Sequence, residues 1–148
     1  MKWEEETLVP THIEVVWHRF QDRSIGTLLP HVVHSELIEG SSDTIGAKHR
    51  QTCAENGREM TYVVETTDYR DEPSRKVKQI QFESDGHFAT TLRFTLIKLN
   101  ENETQLIYEG EKKPVSLTGR LKLKFSAKRT RDQLVRRFVH HLRQETGA

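Results

Sequence analysis

The stretch that decides the fold is HFATTLRFTLIKLNENETQLIYEGE, residues 87–111. Leu92, Phe94 and Leu96 recur at every second position in its first half, and the same alternation returns after the polar Asn-Glu-Asn centre. Alternation with a period of two is typical of strands that bury one face, and a short polar centre is typical of a turn. The stretch therefore predicts a pair of antiparallel strands, at residues 87–99 and 104–111.

The two-residue period continues upstream in four further segments. Turn-forming residues separate them, among them Gly40 to Asp43 and Asn56-Gly57. Asn-Gly between two alternating segments is the strongest short signal for a hairpin. Because every connection is short, consecutive strands are expected to pair as an antiparallel meander of six strands. The upstream strands are predicted at residues 34–39, 44–53, 58–69 and 76–84.

Helical spacing precedes the meander. A short extended segment from Trp3 to Pro10 comes first. Thr11 and Glu14 then have the spacing of a capping box, and an apolar stripe at intervals of three and four residues follows. Ser24 begins a second short helix, which Pro30 ends.

A longer apolar stripe, from Ser126 to Gln144, closes the chain and predicts a long C-terminal helix. With no repeat and no linker, residues 1–148 are expected to form a single domain. The predicted fold class is α+β: a curved antiparallel sheet wrapped around the long C-terminal helix, with two short helices after the first strand.

Alternation also assigns the faces of the sheet. Lys48, Arg50, Glu65 and Arg93 are expected to face water, and this turns their neighbours inward. The inward set contains mostly apolar residues and a few polar ones: Ile45, Ala47, His49, Gln51, Cys53, Met60, Tyr62, Val64, Thr66, Ile80, Phe82, Thr90, Leu92, Phe94, Leu96, Leu106, Tyr108 and Gly110.

Composition limits the classes of function. The net charge is +1, but residues 120–148 carry nine Lys or Arg against two acidic residues. Cys53 is the only cysteine, so no intrachain disulfide can form, and the N-terminus lacks the pattern of a signal peptide. These features predict a cytoplasmic protein. No apolar run reaches the roughly 18–20 residues that a membrane-spanning helix needs.

The chain resembles the START-like helix-grip superfamily, and within it the SRPBCC group of polyketide cyclase/dehydrase and lipid-transport-like proteins. A proline leads into the first helix, which contains a Val-Trp pair, and a Gly-Ser pair precedes a Gly-Ala entry to the next strand. The residues that carry the resemblance are Val9-Pro10-Thr11, Val16-Trp17, Gly40-Ser41, Ile45-Gly46-Ala47, Asn56-Gly57 and Thr104. The resemblance implies a sheet that grips the helix, with a cavity for a hydrophobic molecule between them, and it carries over no catalytic residue.

The first hypothesis is therefore a protein that binds or transports a small hydrophobic or aromatic molecule, without a cofactor, as a monomer or homodimer. His49, Tyr108 and Arg131 would orient the polar end of that molecule, since a few convergent polar groups in an apolar pocket fix a ligand's orientation. The predicted binding residues are Trp17, His49, Gln51, Tyr62, Val64, Phe94, Leu96, Tyr108, Arg131, Leu134 and Phe138.

Two alternatives stay open. A cyclase-like enzyme could use the same cavity, with His49 or Tyr108 as acid or base and Arg131 holding an oxyanion. An adaptor for RNA, a ribosome or an anionic surface could instead use a basic C-terminal stripe, which comprises Arg129, Arg136 and Arg143, preceded by Lys122, Lys124 and Lys128.

Two other chemistries are disfavoured by spacing. Cys53 lies four strand positions from His49, roughly 13 Å away, so the histidine is too distant to activate the thiol. His31, His34, His140 and His141 lack a third ligand at a recognisable zinc spacing, so no metal site is predicted.

Overall fold

The computed structural model describes residues 1–22, 24, 32–55, 57–84, 88–115 and 140. Within these residues the chain forms seven strands and one short helix. In chain order the elements are β1 (Lys2–Val9), α1 (Ile13–His18), β2 (Val32–Glu39), β3 (Lys48–Glu55), β4 (Arg58–Asp71), β5 (Arg75–Ser84), β6 (Phe88–Asn100) and β7 (Glu103–Pro114).

All seven strands belong to one antiparallel sheet, in the order β1-β7-β6-β5-β4-β3-β2. Strands β2 to β7 form the meander that the short turns predict, and β1 adds to it beside β7. The sheet is not closed, so β1 and β2 are its two edges. The pairing of β2 with β3 has register irregularities near both ends of β2, between Val32 and His34 and between Leu37 and Glu39.

The predicted fold class is wrong in its helical part. In the part of the chain that the structure describes, the architecture is an open seven-stranded sheet with one six-residue helix, rather than a sheet around a long helix with two short helices beside it. The strands supply one another with backbone hydrogen bonds and need no helix to complete the ladder. The predicted C-terminal helix, except His140, and the second short helix after Ser24 lie outside the described residues.

The start of α1 also differs from the prediction. The Thr11 backbone N–H donates to the Val9 carbonyl at 2.7 Å, which places Thr11 in a turn. His12 is the N-cap instead, and its Nδ1 accepts from the Glu14 backbone N–H at 3.1 Å. The imidazole nitrogen of His12 thus caps the helix, a role that a side-chain oxygen usually has at a helix N-terminus.

The hydrophobic core lies between one face of the sheet and α1 with the residues that flank it. Trp17 and Phe20 bring the helix to the sheet, and the Phe20 ring centroid lies 5.0 Å from that of Phe94. Phe94 stacks on Tyr108 at 5.3 Å, with an interplanar angle of 5°. Offset and tilted aromatic pairs at these distances add about 0.5–1.5 kcal/mol each beyond the area they bury.

Most of the predicted inward residues are buried on this face, but Ile45 is an exception. Its side chain is 63% exposed. The prediction began the second meander strand at Thr44, whereas β3 begins at Lys48. Gly46 has φ 91°, a left-handed conformation that breaks strand alternation before β3 begins. Ile45 therefore lies in a turn and does not follow the parity of the strand.

Candidate functional site

The candidate site is the inner face of the sheet, defined here as the face that carries Val64, Leu92 and Phe94. Directly opposed residues on neighbouring strands share a face, and neighbouring strands lie about 4.8 Å apart. Three rows of side chains cross this face: a first row of His49, Val64, Phe82, Thr90 and Lys112, a second of Thr66, Ile80, Leu92, Gly110 and Trp3, and a third of Tyr69, Lys78, Phe94, Tyr108 and Glu5.

Four uncharged polar or titratable side chains are buried among the apolar residues of the inner face. They are His49, Gln51, Thr66 and Thr90, whose exposed fractions lie between 2% and 8%. Polar groups placed at separate points on an apolar surface can orient a bound molecule without solvating it. The inner face therefore has the composition of a small-molecule site, with apolar area from the aromatic residues and polar contacts from β3, β4 and β6.

An open groove lies where β4 and β5 separate, beyond the pair of Val64 and Phe82 that is the last in their ladder. The Tyr62 and Phe82 rings stack across it with centroids 5.0 Å apart, and both side chains also pack against the core. The groove has a volume of about 690 Å³ and is lined by Lys48, Met60, Thr61, Tyr62, Val63, Glu65, Gln81, Phe82 and Glu83. We call it the β4–β5 groove. Most of its lining residues belong to the outer face of the sheet, and Met60, Tyr62 and Phe82 belong to the inner face.

Cys53 lies beside this groove and forms a hydrogen bond with Tyr62, one of the aromatic residues that line it. The Cys53 Sγ atom is 2.7 Å from the Tyr62 hydroxyl, and either atom can be the donor. The thiol is half-buried. Tyr62 is thus held from two sides, by a hydrogen bond at its hydroxyl and by the stacked Phe82 ring at its face.

A buried lysine, Lys78, is the most unusual residue of the third row. Its side chain is fully buried, and Nζ donates to the Phe20 carbonyl at 2.8 Å and to the Asp22 carboxylate. Asp43 lies 3.8 Å away and exchanges backbone-to-carboxylate hydrogen bonds with Asp22. A buried ammonium needs such partners because its desolvation is costly. The cluster fastens the end of α1 and the turn before β3 to the middle of the sheet.

His49 is held by the same cluster. Its Nε2 atom lies 3.6 Å from the Asp22 carboxylate, and both side chains are at least nine-tenths buried. A carboxylate beside an imidazole fixes the orientation of the ring, an arrangement that enzymes use for acid–base chemistry and that other proteins use as a structural contact.

Three titratable side chains around α1 and Tyr108 have shifted pKa values. Burial raises the pKa of Tyr108 to about 12, and the nearby Trp3 indole opposes this rise. Burial also raises the pKa of Tyr69. For Lys76 burial acts to lower the pKa, but hydrogen bonds and charge attraction from Asp71 and Glu14 outweigh it and the pKa is raised. Tyr108 is therefore a neutral phenol at physiological pH and can donate a proton in a hydrogen bond.

The structure brings the described members of the predicted site together on one surface. Trp17 approaches from α1, His49 and Gln51 come from β3, and Tyr108 comes from β7. All but Tyr62 are buried, and Tyr62 is half-buried. Their role in binding is not tested by these positions and remains a prediction. Arg131, Leu134 and Phe138, and the basic stripe of Arg129, Arg136 and Arg143, lie outside the described residues.

Sequence reasoning missed Lys78, Asp22 and Trp3. The alternation of β5 could have predicted the burial of Lys78, because residues 76 and 78 share a face with Ile80 and Phe82, which were assigned inward. Asp22 lies in the connection after α1, and a connection has no helix or strand periodicity from which the burial of a residue could be predicted. Trp3 precedes three consecutive glutamates, and that run hides the alternation of β1.

Two further findings concern the described part of the chain only. Among its residues, no group of three or more His, Cys, Asp or Glu side chains lies in an arrangement that could hold a metal ion. No helix found there has the length and apolar character that crossing a bilayer would require.

The comparisons with known proteins agree on the fold. A hypothetical protein from Helicobacter pylori aligns with a TM-score of 0.74 at 8% identity, covering 96% of this chain and 85% of that one. The Zhui aromatase/cyclase from Streptomyces sp. R1128 aligns with a TM-score of 0.68 at 15% identity, over 97% and 94% of the two chains. The chain therefore shares its fold with these proteins.

A third structure of this fold is norcoclaurine synthase from Thalictrum flavum, in complex with dopamine and hydroxybenzaldehyde. It aligns with a TM-score of 0.67 at 12% identity, over 97% of this chain and 84% of that one. No protein-family model matches the sequence, and neither does any curated protein. At these identities the likeness shows the fold alone, and the resemblance stated from the sequence is confirmed at that level.

Proposed function

We propose that this protein binds a small hydrophobic or aromatic molecule on the inner face of the sheet. The observation that carries the proposal is the burial of His49, Gln51, Thr66 and Thr90 among aromatic and aliphatic side chains of one face. A core built only for stability gains little from these groups, since each buried polar group must find a partner. Their spread over three strands suits a ligand that makes polar contacts at more than one point.

The β4–β5 groove supports this proposal, because three inner-face side chains, those of Met60, Tyr62 and Phe82, form part of its wall. Tyr62 and Phe82 line the groove and also pack against the core, so an aromatic ligand entering there would stack on them. Small-molecule sites usually occupy 300–1,000 Å³, and the groove volume of about 690 Å³ lies in that range.

Binding is tested with 2-acetylnaphthalene, a planar aromatic probe, by quenching of tryptophan fluorescence, and with native mass spectrometry of the freshly purified protein. Tyr62→Ala is expected to weaken binding about tenfold, because it removes a stacking contact worth roughly 1 kcal/mol together with its apolar area. The matched control is Leu8→Ala, which shortens an exposed apolar side chain on β1, at the other edge of the sheet, and should leave the affinity unchanged. Absence of saturable binding, or equal losses in both variants, would overturn the proposal.

A second candidate function is suggested by the contact between His49 and Asp22. A buried imidazole held by a carboxylate could remove a proton from the carbon beside the 5-keto group of a 3,5-diketoester. The resulting carbanion would attack the ester carbonyl and close a ring, and the expelled alkoxide would take the proton from the imidazolium and leave as the alcohol. The test is incubation with a linear 3,5-diketoester, followed by chromatography for a cyclised product. Catalysis by this pair requires product formation that His49→Gln abolishes while binding of 2-acetylnaphthalene is retained; product formation that persists in His49→Gln excludes it.

A further inference from the structure

We propose that the β4–β5 groove selects a positively charged aromatic molecule, such as a protonated arylalkylamine, by holding its ammonium group near Glu65 and Glu83. The inference rests on the proposed binding function and deepens it, because it names the charge of the ligand. The aromatic ring of this molecule lies against Tyr62 and Phe82, and its cationic end points to the outer face of the sheet.

The first observation is that the groove has two unlike walls, because residues from both faces of the sheet line it. The ladder between β4 and β5 ends at Phe82, whose ring stacks on that of Tyr62 at 5.0 Å on the inner side. On the outer side Glu65 lies directly opposite Gln81, and Glu83 follows two residues later on the same face. A molecule in the groove therefore meets aromatic carbon on one side and carboxylates on the other.

The second observation is that the carboxylates of the outer wall have no cationic partner among the described residues. Neither the Glu65 nor the Glu83 carboxylate makes an ion pair or a hydrogen bond with another described residue. Among the described residues that line the groove, Lys48 alone is cationic, and its ammonium already pairs with Glu39 at 3.2 Å. That hydrogen bond, together with the charges of Glu39 and Glu65, raises the pKa of Lys48. One ammonium thus faces three carboxylates, and the outer wall keeps an excess of negative charge.

The chemistry of the two walls favours a cation over a neutral molecule of the same shape. An ammonium group is attracted by nearby carboxylates, and the faces of aromatic rings also attract cations. Glu83 is exposed and Glu65 is half-buried, so water screens both attractions and each is weak. Together they correspond to a preference of about fivefold in affinity for the charged molecule.

The test compares 2-naphthylmethylamine with 2-naphthalenemethanol, which have nearly the same shape, although only the amine is charged at neutral pH. Isothermal titration calorimetry measures their affinities for the wild-type protein and for Glu65→Gln/Glu83→Gln. In about 20 mM NaCl the wild type is expected to bind the amine about fivefold more tightly than the alcohol, and the double variant is expected to bind the two equally. In about 500 mM NaCl the wild-type preference should fall below about twofold, because salt screens exposed charges.

Glu4→Gln/Glu6→Gln is the matched control, because it removes two exposed carboxylates from β1, at an edge of the sheet away from the groove. This variant should keep the preference for the amine. The same loss of preference in both double variants would mean that the amine responds to the net charge of the protein, which contradicts the inference. Equal affinity of the wild type for the amine and the alcohol would also contradict it, while leaving the proposed function intact.

Met60 reports where the probes bind. The protein has two methionines, of which Met60 lines the groove and Met1 lies at the β1 edge of the sheet. In a sample with ¹³C-labelled methionine methyl groups, assigned with Met60→Leu, the Met60 resonance should shift when either probe binds and the Met1 resonance should not. Saturable binding without a Met60 shift would overturn the inference. Failure of both probes and of 2-acetylnaphthalene to bind would instead overturn the proposed function on which it rests.

Discussion

Replacing Asp22 by asparagine should destabilise the fold more than any substitution of a surface charge. Asn keeps an oxygen that can accept from the Asp43 backbone N–H, but it removes the negative charge that faces Lys78. The ammonium would then retain the Phe20 carbonyl at 2.8 Å and the Asp43 carboxylate at 3.8 Å. Breaking a buried ion pair usually costs 3–5 kcal/mol. Because Asp43 still offsets part of the charge, the expected loss in the free energy of unfolding is about 3 kcal/mol, at the lower end of that range.

Equilibrium unfolding in urea measures this loss, with the linear extrapolation giving the free energy in water. The double variant Asp22→Asn/Lys78→Met removes both charges and should regain most of the lost stability, since a buried pair can be replaced by neutral groups at little cost. Glu36→Gln is the control: its partner Arg50 lies 2.9 Å away, but both side chains are about half exposed, so a change within roughly 0.5 kcal/mol is expected. The reasoning fails if Asp22→Asn costs no more than Glu36→Gln, or if the double variant is no more stable than the single one.

Three further predictions concern the inner face. Phe94→Ala should lower the free energy of unfolding by about 3–5 kcal/mol, because Phe94 is fully buried and contacts two other rings. Thermal unfolding followed by circular dichroism measures this loss, and a value below about 1 kcal/mol would mean that neighbouring side chains move in to fill the cavity. Gly110→Ala should cost roughly 1–3 kcal/mol and change the near-ultraviolet circular dichroism of tryptophan, because the new methyl group would overlap the Trp3 ring; an unchanged spectrum would contradict the position assigned to that ring. Burial raises the pKa of Tyr108 to about 12, so on raising the pH the unfolded chain loses the phenol proton before the folded chain does. The free energy of unfolding should therefore be unaffected by this group below pH 10 and should fall by up to roughly 3 kcal/mol between pH 10 and 12. Urea unfolding across that range should show a shallower decline for Tyr108→Phe.

The strands could be predicted from the sequence because each buries one face and exposes the other. Residues 92, 94 and 96 are buried on the inner face as their alternation predicts, and Leu106 and Tyr108 continue the pattern on β7. Turn residues then fixed the pairing, since short connections leave neighbouring strands no other partner. Sequence patterns were therefore sufficient for the six strands of the meander, whose geometry repeats every two residues, but not for the pairing of β1 with β7.

The features that could not be predicted depend on contacts between distant segments. The wrong strand start at Thr44 came from extending alternation into a turn, where Gly46 with φ 91° ends it. Lys78 was missed because a charged residue is normally assigned to water, and its burial is explained by distant partners, among them Asp22, 56 residues away. The predicted fold class failed because helical periodicity in the sequence does not show which segments pack on a sheet.

Among the described residues neither edge of the sheet is paired with a further strand, and the two edges differ in how they resist the addition of one. Strand β1 presents Glu4, Glu5 and Glu6 in a row, so a second copy paired there would place like charges side by side. Strand β2 has only one acidic residue in its middle, and Val33 and Ile38 are exposed on it. There the register irregularities near its two ends distort the regular line of free N–H and carbonyl groups that an incoming strand would need. A variant of β2 without these register irregularities is thus expected to aggregate through this edge before it loses any folding stability.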